Sequence, residues 1–233
     1  MDHTNIFDVD SDSVDMLMEK IKESKRHNIV TLFFPGNEFK PVTPTGRDEL
    51  RKVELSQYSD VVAIPLCVAP YPDDIREQPL CMFLATSIYH RLDTMYDKVN
   101  IMGVSSGGFF ATMAAHLTAA NTLILIAPVL SPVDLPKGSE KLRQEWKHQY
   151  CYFGTEARMN DITQFHLNRR FPPSTIIVMS YEDESAPKDV AFPLWATPTI
   201  VLIQKGATHS DLCTCLTPRH SSIIKTECTK LYS

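Results

Sequence analysis

Apolar residues along the chain follow two rhythms. Val14, Leu17, Met18 and Ile21 recur at three- and four-residue intervals among Glu19, Lys20, Lys22 and Glu23, which predicts an amphipathic helix with one buried stripe. Residues 1–10 ahead of it are acidic and polar and predict a frayed start. Six short runs of strand character follow: Ile29–Phe34, Val61–Leu66, Val99–Gly103, Thr122–Ala127, Thr175–Ser180 and Thr199–Ile203. Several are almost continuous in Val, Ile and Leu, as expected of parallel strands covered on both faces. Between them, segments 45–58, 75–97, 107–120 and 186–196 are long enough for crossover helices. Strand and helix alternating in this way predict an α/β fold, a doubly wound, mostly parallel sheet of about six strands.

Residues 129–173 break the rhythm. They separate the fourth and fifth strands by more chain than a crossover helix needs. They also hold Trp146, Tyr150, Tyr152, Phe153, Phe165 and Phe171, which predicts a small helical cap inserted after the fourth strand. Neither a repeat nor a Gly/Ser-rich linker divides the sequence, so residues 1–233 read as a single domain with the cap inside it.

Composition narrows the function classes. The chain is 43% hydrophobic and 22% charged, ordinary for a globular protein. A net charge of -5 without a basic run argues against nucleic acid and anionic lipid as partners. No apolar run approaches the roughly 18 residues of a membrane span. The start, Met1-Asp2-His3-Thr4-Asn5, lacks the basic-then-apolar pattern of a signal peptide. A cytoplasmic protein without stable membrane insertion is therefore expected. Six cysteines are too sparse for a disulfide scaffold, and Cys213-Thr214-Cys215 has no zinc-site spacing. The cysteines read as reduced, with no metal and no cofactor expected. Nothing in the sequence specifies an oligomeric state.

Glycine is the unusual entry in the composition, with 8 residues against 16 prolines. Three of the eight, Gly103, Gly107 and Gly108, fall in one hexapeptide. Gly103-Val104-Ser105-Ser106-Gly107 is a G-x-S-x-G that follows a strand and opens an alanine-rich helix. In that context the pattern holds a serine on a sharp strand-to-helix bend, with small residues on either side to admit the neighbouring strand and helix. The Ser106 N–H, at the helix start, would point where an oxyanion forms. A phosphate loop does not fit, because Phe109 stands where Lys-Ser or Lys-Thr is needed after the last glycine.

A serine nucleophile needs a general base, and the base an orienting acid. His209 follows the last strand in Gln204-Lys205-Gly206-Ala207-Thr208-His209, a loop at the carboxyl edge of the sheet, where catalytic groups of open α/β sheets gather. The other seven histidines fall before the first core strand, inside helices, in the cap or near the end of the chain. For the acid, the turn Tyr181-Glu182-Asp183-Glu184 offers three carboxylates, of which Asp183 is the choice and Asp134, after the fourth strand, the alternative. The order Ser105, Asp183, His209 is that expected of this architecture. The second oxyanion donor is expected in Pro35-Gly36-Asn37-Glu38, with Gly36 shaping the turn and Asn37 donating. A plain Pro-Gly turn would have the same sequence.

With these residues the sequence resembles the α/β-hydrolase superfamily over nearly its whole length. Gly103 to Gly108 is similar to the family's nucleophile elbow, and Leu125-Ile126-Ala127-Pro128-Val129-Leu130 to the strand after it. Ala69-Pro70-Tyr71-Pro72-Asp73-Asp74 and Pro172 through Asp183 resemble segments of the hormone-sensitive-lipase-like esterases. The His-Gly-Gly-Gly motif of that branch is absent. Phe34-Pro35-Gly36-Asn37 stands in its place, closer to the Pro-Gly-Asn of lipid-droplet-associated hydrolases. The first core strand begins near residue 29, which implies that the leading antiparallel strands are missing.

The resemblance implies a serine esterase of lipase-like type, acting on a small-molecule ester or acyl substrate through an acyl-enzyme, with Ser105, Asp183 and His209 as nucleophile, acid and base. An acyl-thioesterase or a small peptidase would use the same triad. A non-catalytic receptor on the same fold is the alternative from another class.

Overall fold

In a computed structural model of the chain, the described residues are 5–9, 14–36, 46–64, 77–105, 107–118, 120–128, 174–183 and 199–231. They hold seven strands: β1 (Ile6–Asp8), β2 (Ile29–Phe34), β3 (Asp60–Ala63), β4 (Lys98–Val104), β5 (Thr122–Ile126), β6 (Ser174–Met179) and β7 (Thr199–Ile203). These form one sheet in the order β1-β3-β2-β4-β5-β6-β7, and each neighbouring pair is parallel. Every residue of β4, β5 and β6 is buried. That burial is the physical reason for their nearly unbroken apolar sequence.

The helices are α1 (Val14–Ser24), α2 (Gly46–Ser56), α3 (Glu77–Asp93), α4 (Gly107–Leu117), α5 (His209–Thr214) and α6 (Pro218–Thr229). Two apolar clusters show how they are distributed. Leu17 and Ile21 of α1, Ile88 and Leu92 of α3, and Phe109 and Ala114 of α4 pack with Leu32, Ile101 and Leu125 on one face of the sheet. Leu55 of α2, Leu212 of α5, and Ile224 and Cys228 of α6 pack with Met102, Ile126 and Val178 on the other. Side chains alternate across a strand, so β4 feeds one layer with Val99 and Ile101 and the other with Met102 and Val104. The sheet is therefore doubly wound, as the alternation of elements predicts.

Two features differ from the sequence expectation. Residues 6–8 are not frayed but form β1, an extra edge strand, and the chain has two further helices, α5 and α6, after β7. The Asn5 amide secures β1, donating to the Ser56 carbonyl at 3.0 Å and reaching Asp60 Oδ1 at 3.3 Å. The segment 129–173, expected as a cap, and the crossover 186–196 lie outside the described residues.

Asp60, fully buried at the amino edge of β3, accepts from the Tyr96 hydroxyl at 2.8 Å and from the Arg26 N–H at 3.2 Å. Burial and the neighbouring Asp60 carboxylate push the Tyr96 phenol well above its ordinary value, so it remains a donor. Removing one donor from a buried carboxylate costs about 1–3 kcal/mol. Tyr96→Phe is thus expected to lower the urea midpoint with little change in slope. An unchanged midpoint would mean that Asp60 draws nothing from that bond.

Candidate active site

In a parallel sheet all carboxyl ends lie on one edge, and here that edge gathers the chemistry. Ser105 follows β4, Asp183 follows β6 after a short turn, and His209 follows β7. Adjacent strands stand about 4.8 Å apart, so β7 is about 14 Å from β4. The chain after β7 must therefore lead back across two strands for a histidine there to meet Ser105. It does so through residues 204–208, and α5, which begins at His209, anchors the far end with Leu212 and Cys213 buried in the core. Arg51 Nη2 of α2 donates to the Leu212 carbonyl at 3.3 Å and holds this short helix in place.

Close approach of backbones shapes the bend at Ser105. Ser105 adopts φ 52°, a left-handed conformation costing an L-residue roughly 1–2 kcal/mol. Its N–H donates to the Ile126 carbonyl at 2.9 Å, and its carbonyl accepts from the Gly108 N–H at 2.9 Å. A Cβ on Gly107 would stand 2.2 Å from the Phe34 carbonyl oxygen, and one on Gly103 would stand 2.6 Å from the Ala111 Cβ. Neither position admits a side chain while α4 lies against the ends of β2 and β4. Gly36 is also at the serine, since a Cβ there would come 3.3 Å from the Ser105 Cβ.

A second left-handed residue, Ala127 (φ 46°), directly follows β5. Its N–H donates to the Val178 carbonyl at 2.8 Å. It turns the chain so that Pro128 packs on Gly108 at the start of α4.

Three side chains form a hydrogen-bonded line. Ser105 Oγ lies 2.8 Å from His209 Nε2, and His209 Nδ1 lies 2.8 Å and 3.0 Å from the two Asp183 carboxylate oxygens. Because a carboxylate only accepts, Nδ1 carries a proton toward Asp183, which leaves Nε2 of a neutral ring to accept from the Ser105 hydroxyl. The Asp183 side chain is 1% exposed and that of His209 21%. Burial disfavours a charged imidazole here. The Asp183 hydrogen bond and Cys213, one helical turn along, outweigh it and raise His209 above its ordinary value.

His209 is not in a loop, as the sequence suggests, but is the first residue of α5. Thr208 is the N-cap: its hydroxyl accepts from the Asp211 N–H at 3.2 Å, and Asp211 Oδ2 accepts from the Thr208 N–H at 2.8 Å. This reciprocal pair fixes where the helix begins, and hence where the imidazole projects from. The Thr-x-x-Asp spacing was the available sequence signal.

Of the expected residues, the structure brings Gly36, Ser105, Asp183 and His209 together. The oxyanion candidates Asn37 and Ser106 and the alternative acid Asp134 lie outside the described residues. Among the described residues, no group of three or more His, Cys, Asp or Glu side chains is gathered for a metal ion, and no helix is long and apolar enough to cross a membrane.

No curated protein matches the chain by sequence. A model of an uncharacterised protein family, UPF0227, matches residues 75–213, a span that includes Ser105, Asp183 and His209. Among solved structures, the chain is similar to Est1E from Butyrivibrio proteoclasticus, at 13% identity and TM-score 0.57 over 89% of this chain and 88% of that one. It is also similar to an acetyl ester-xyloside bifunctional hydrolase from Caldicellulosiruptor lactoaceticus, at 14% identity and TM-score 0.64 over 87% and 83%. Carboxyl esterase 2 from the mycorrhizal fungus Tuber melanosporum is similar at 15% identity and TM-score 0.62 over 89% and 80%. The shared architecture is the α/β-hydrolase fold.

Proposed function

The chain belongs to the uncharacterised protein family UPF0227, and within it we propose that this protein is a serine hydrolase cleaving a carboxylic ester through an acyl-enzyme. The observation that carries the reading is the continuous Ser105–His209–Asp183 hydrogen-bonded line, with both inner contacts at 2.8 Å, ending on a serine held at φ 52°. Backbone strain of this kind persists where the surroundings over-determine it and is concentrated at functional sites. The names of the structural neighbours, esterases and hydrolases among them, agree with the reading.

In the first half-reaction Ser105 Oγ attacks the ester carbonyl carbon while His209 Nε2 takes the hydroxyl proton. Asp183 keeps the ring in the tautomer that can do so and stabilises the imidazolium that forms. When the tetrahedral intermediate collapses, that proton passes to the departing alkoxide and the alcohol leaves. A water molecule, deprotonated by the same nitrogen, then attacks the acyl-serine, and the carboxylic acid is released with Ser105 restored. The oxyanion formed in each half would be held by the N–H groups of Ser106 and Asn37, each worth roughly 3 kcal/mol. Gly36 keeps the approach to the serine open, since a Cβ there would stand 3.3 Å from the Ser105 Cβ.

Incubation with a fluorophosphonate, followed by peptide mass spectrometry, tests the assignment. One adduct is expected, on Ser105. An unlabelled protein, or an adduct elsewhere, would remove the basis for the mechanism and favour a receptor on this fold. A series of p-nitrophenyl esters and acyl-CoAs of increasing chain length would then separate esterase from thioesterase.

A further inference from the structure

Glu182 stands beside Asp183 and takes no part in the proton relay. Its carboxylate bridges two turns instead. Glu182 Oε2 accepts from the Ser180 hydroxyl at 2.6 Å, within the turn after β6, and from the Gly206 N–H at 3.1 Å, in the turn after β7. The Glu182 N–H donates in return to Ser180 Oγ at 3.2 Å.

The position of that bridge matters. Past the β6–β7 ladder, the Gln204 N–H still reaches the Met179 carbonyl at 2.9 Å. The chain then leaves the sheet and travels through Lys205 to Thr208 before His209. Gly206, at φ 73°, lies midway along this stretch. Adjacent carboxylates therefore face opposite ways: Asp183, buried, receives His209, while Glu182, exposed, receives the backbone that leads to it.

We propose that Glu182 is a positioning residue: by holding Gly206 it fixes the segment before His209 against the turn that carries Asp183, and so sets the His209–Asp183 contact. Its consequence for turnover rests on the hydrolase reading above; its consequence for the contact itself does not. The Ser180 hydroxyl and the Gly206 N–H hold the Glu182 carboxyl below the usual carboxylate range. It is therefore an acceptor throughout the pH range in which a histidine works as a base. Exposed bonds of this kind add little to global stability, whereas a displacement of 1 Å at a reacting group can cost about a hundredfold in rate.

The test compares Glu182→Ala with Glu182→Gln, whose amide oxygen still accepts from Gly206. The readouts are kcat and KM on a p-nitrophenyl ester and the far-downfield proton resonance of His209 Nδ1–H, assigned by its loss in His209→Gln. In the alanine variant kcat is expected to fall about tenfold at constant KM, with the resonance shifted or broadened. The glutamine variant should stay close to wild type in both. Wild-type kcat with an unchanged resonance in Glu182→Ala would overturn the proposal, even if the melting temperature fell, and so would an equal loss in both variants. If wild type and Ser105→Ala proved equally inactive, the hydrolase reading would fail on its own, and the resonance alone would decide the role of Glu182.

Discussion

Ser105→Ala is expected to abolish fluorophosphonate labelling and to lower ester turnover by about 10⁶-fold, the scale seen when a triad nucleophile is removed. Among the described residues, Ser105 is the hydroxyl hydrogen-bonded to His209 Nε2, so its loss should remove the attack. A small residual rate over water, from the polarised carbonyl and bound substrate, should survive. The substitution also separates chemistry from folding. Alanine at φ 52° retains the left-handed strain that serine carries, so its stability should match wild type. Ser105→Gly, equally inactive, should be more stable by roughly 1–2 kcal/mol because glycine occupies that region without penalty. Labelling of Ser105→Ala at the wild-type rate would sink the nucleophile assignment. A glycine variant no more stable than the alanine one would sink the strain argument alone.

The Asp183→Asn change should cost about 10⁴-fold in kcat, and it carries a sign that can be checked independently. An amide can donate to Nδ1 as readily as accept from it, which favours the tautomer whose proton sits on Nε2, where it blocks acceptance from Ser105. Removal of the negative charge also withdraws the main support for an imidazolium. The acid limb of kcat/KM should lie above the ordinary histidine value of about 6.5 in wild type and move down in the variant. Stability follows the same linkage. A histidine raised in the folded state contributes fully below its unfolded value, and that contribution is lost as pH rises through the folded value. The difference in denaturation midpoint between wild type and Asp183→Asn should therefore be largest near pH 5–6 and shrink toward alkaline pH. A difference growing with pH would mean that His209 is not raised by Asp183. If Asp134→Asn produced the larger loss of turnover, the acid would be misassigned.

Much of the scaffold was legible because the strands are buried on both faces. Val99, Ile101, Leu123 to Ile126 and Ile176 to Val178 have no solvent side, so the strands read as nearly continuous apolar runs, with Asn100 as a buried polar exception in β4. The close packing around Ser105 was legible through a shortage: in a chain with 8 glycines, clustered ones mark close backbone approach, as at Gly103 and Gly107. The elements the sequence does not announce have physical reasons as well. β1 is three residues long, too short for any period to show, and is held by the Asn5 amide and by pairing with β3. In α6, Ile224 and Cys228 are its buried positions, giving a weak apolar stripe. The informative signs were at its start, where Thr217 caps and Pro218 occupies the first turn. Three acids crowd the turn after β6, and composition does not rank them. The choice depends on which side of the turn faces β7, a property of the folded sheet that buries Asp183 and leaves Glu182 in water.

The all-parallel sheet also governs how the site comes into being. No neighbouring pair of strands is joined by a hairpin: Ile29 pairs with Lys98, and Thr122 with Ser174, so each ladder must close a long loop before it gains anything. Closure of this kind is entropically costly and slows folding. Ser105 and His209 are 104 residues apart in sequence, and the base sits beyond the strand farthest along the chain. Ser105 follows a central strand of the sheet, while His209 comes into hydrogen-bonding reach only once β7 and α5 are docked at its edge. On the hydrolase reading, reactivity at Ser105 would therefore report on the completed fold, because the strained turn alone would have no base to use.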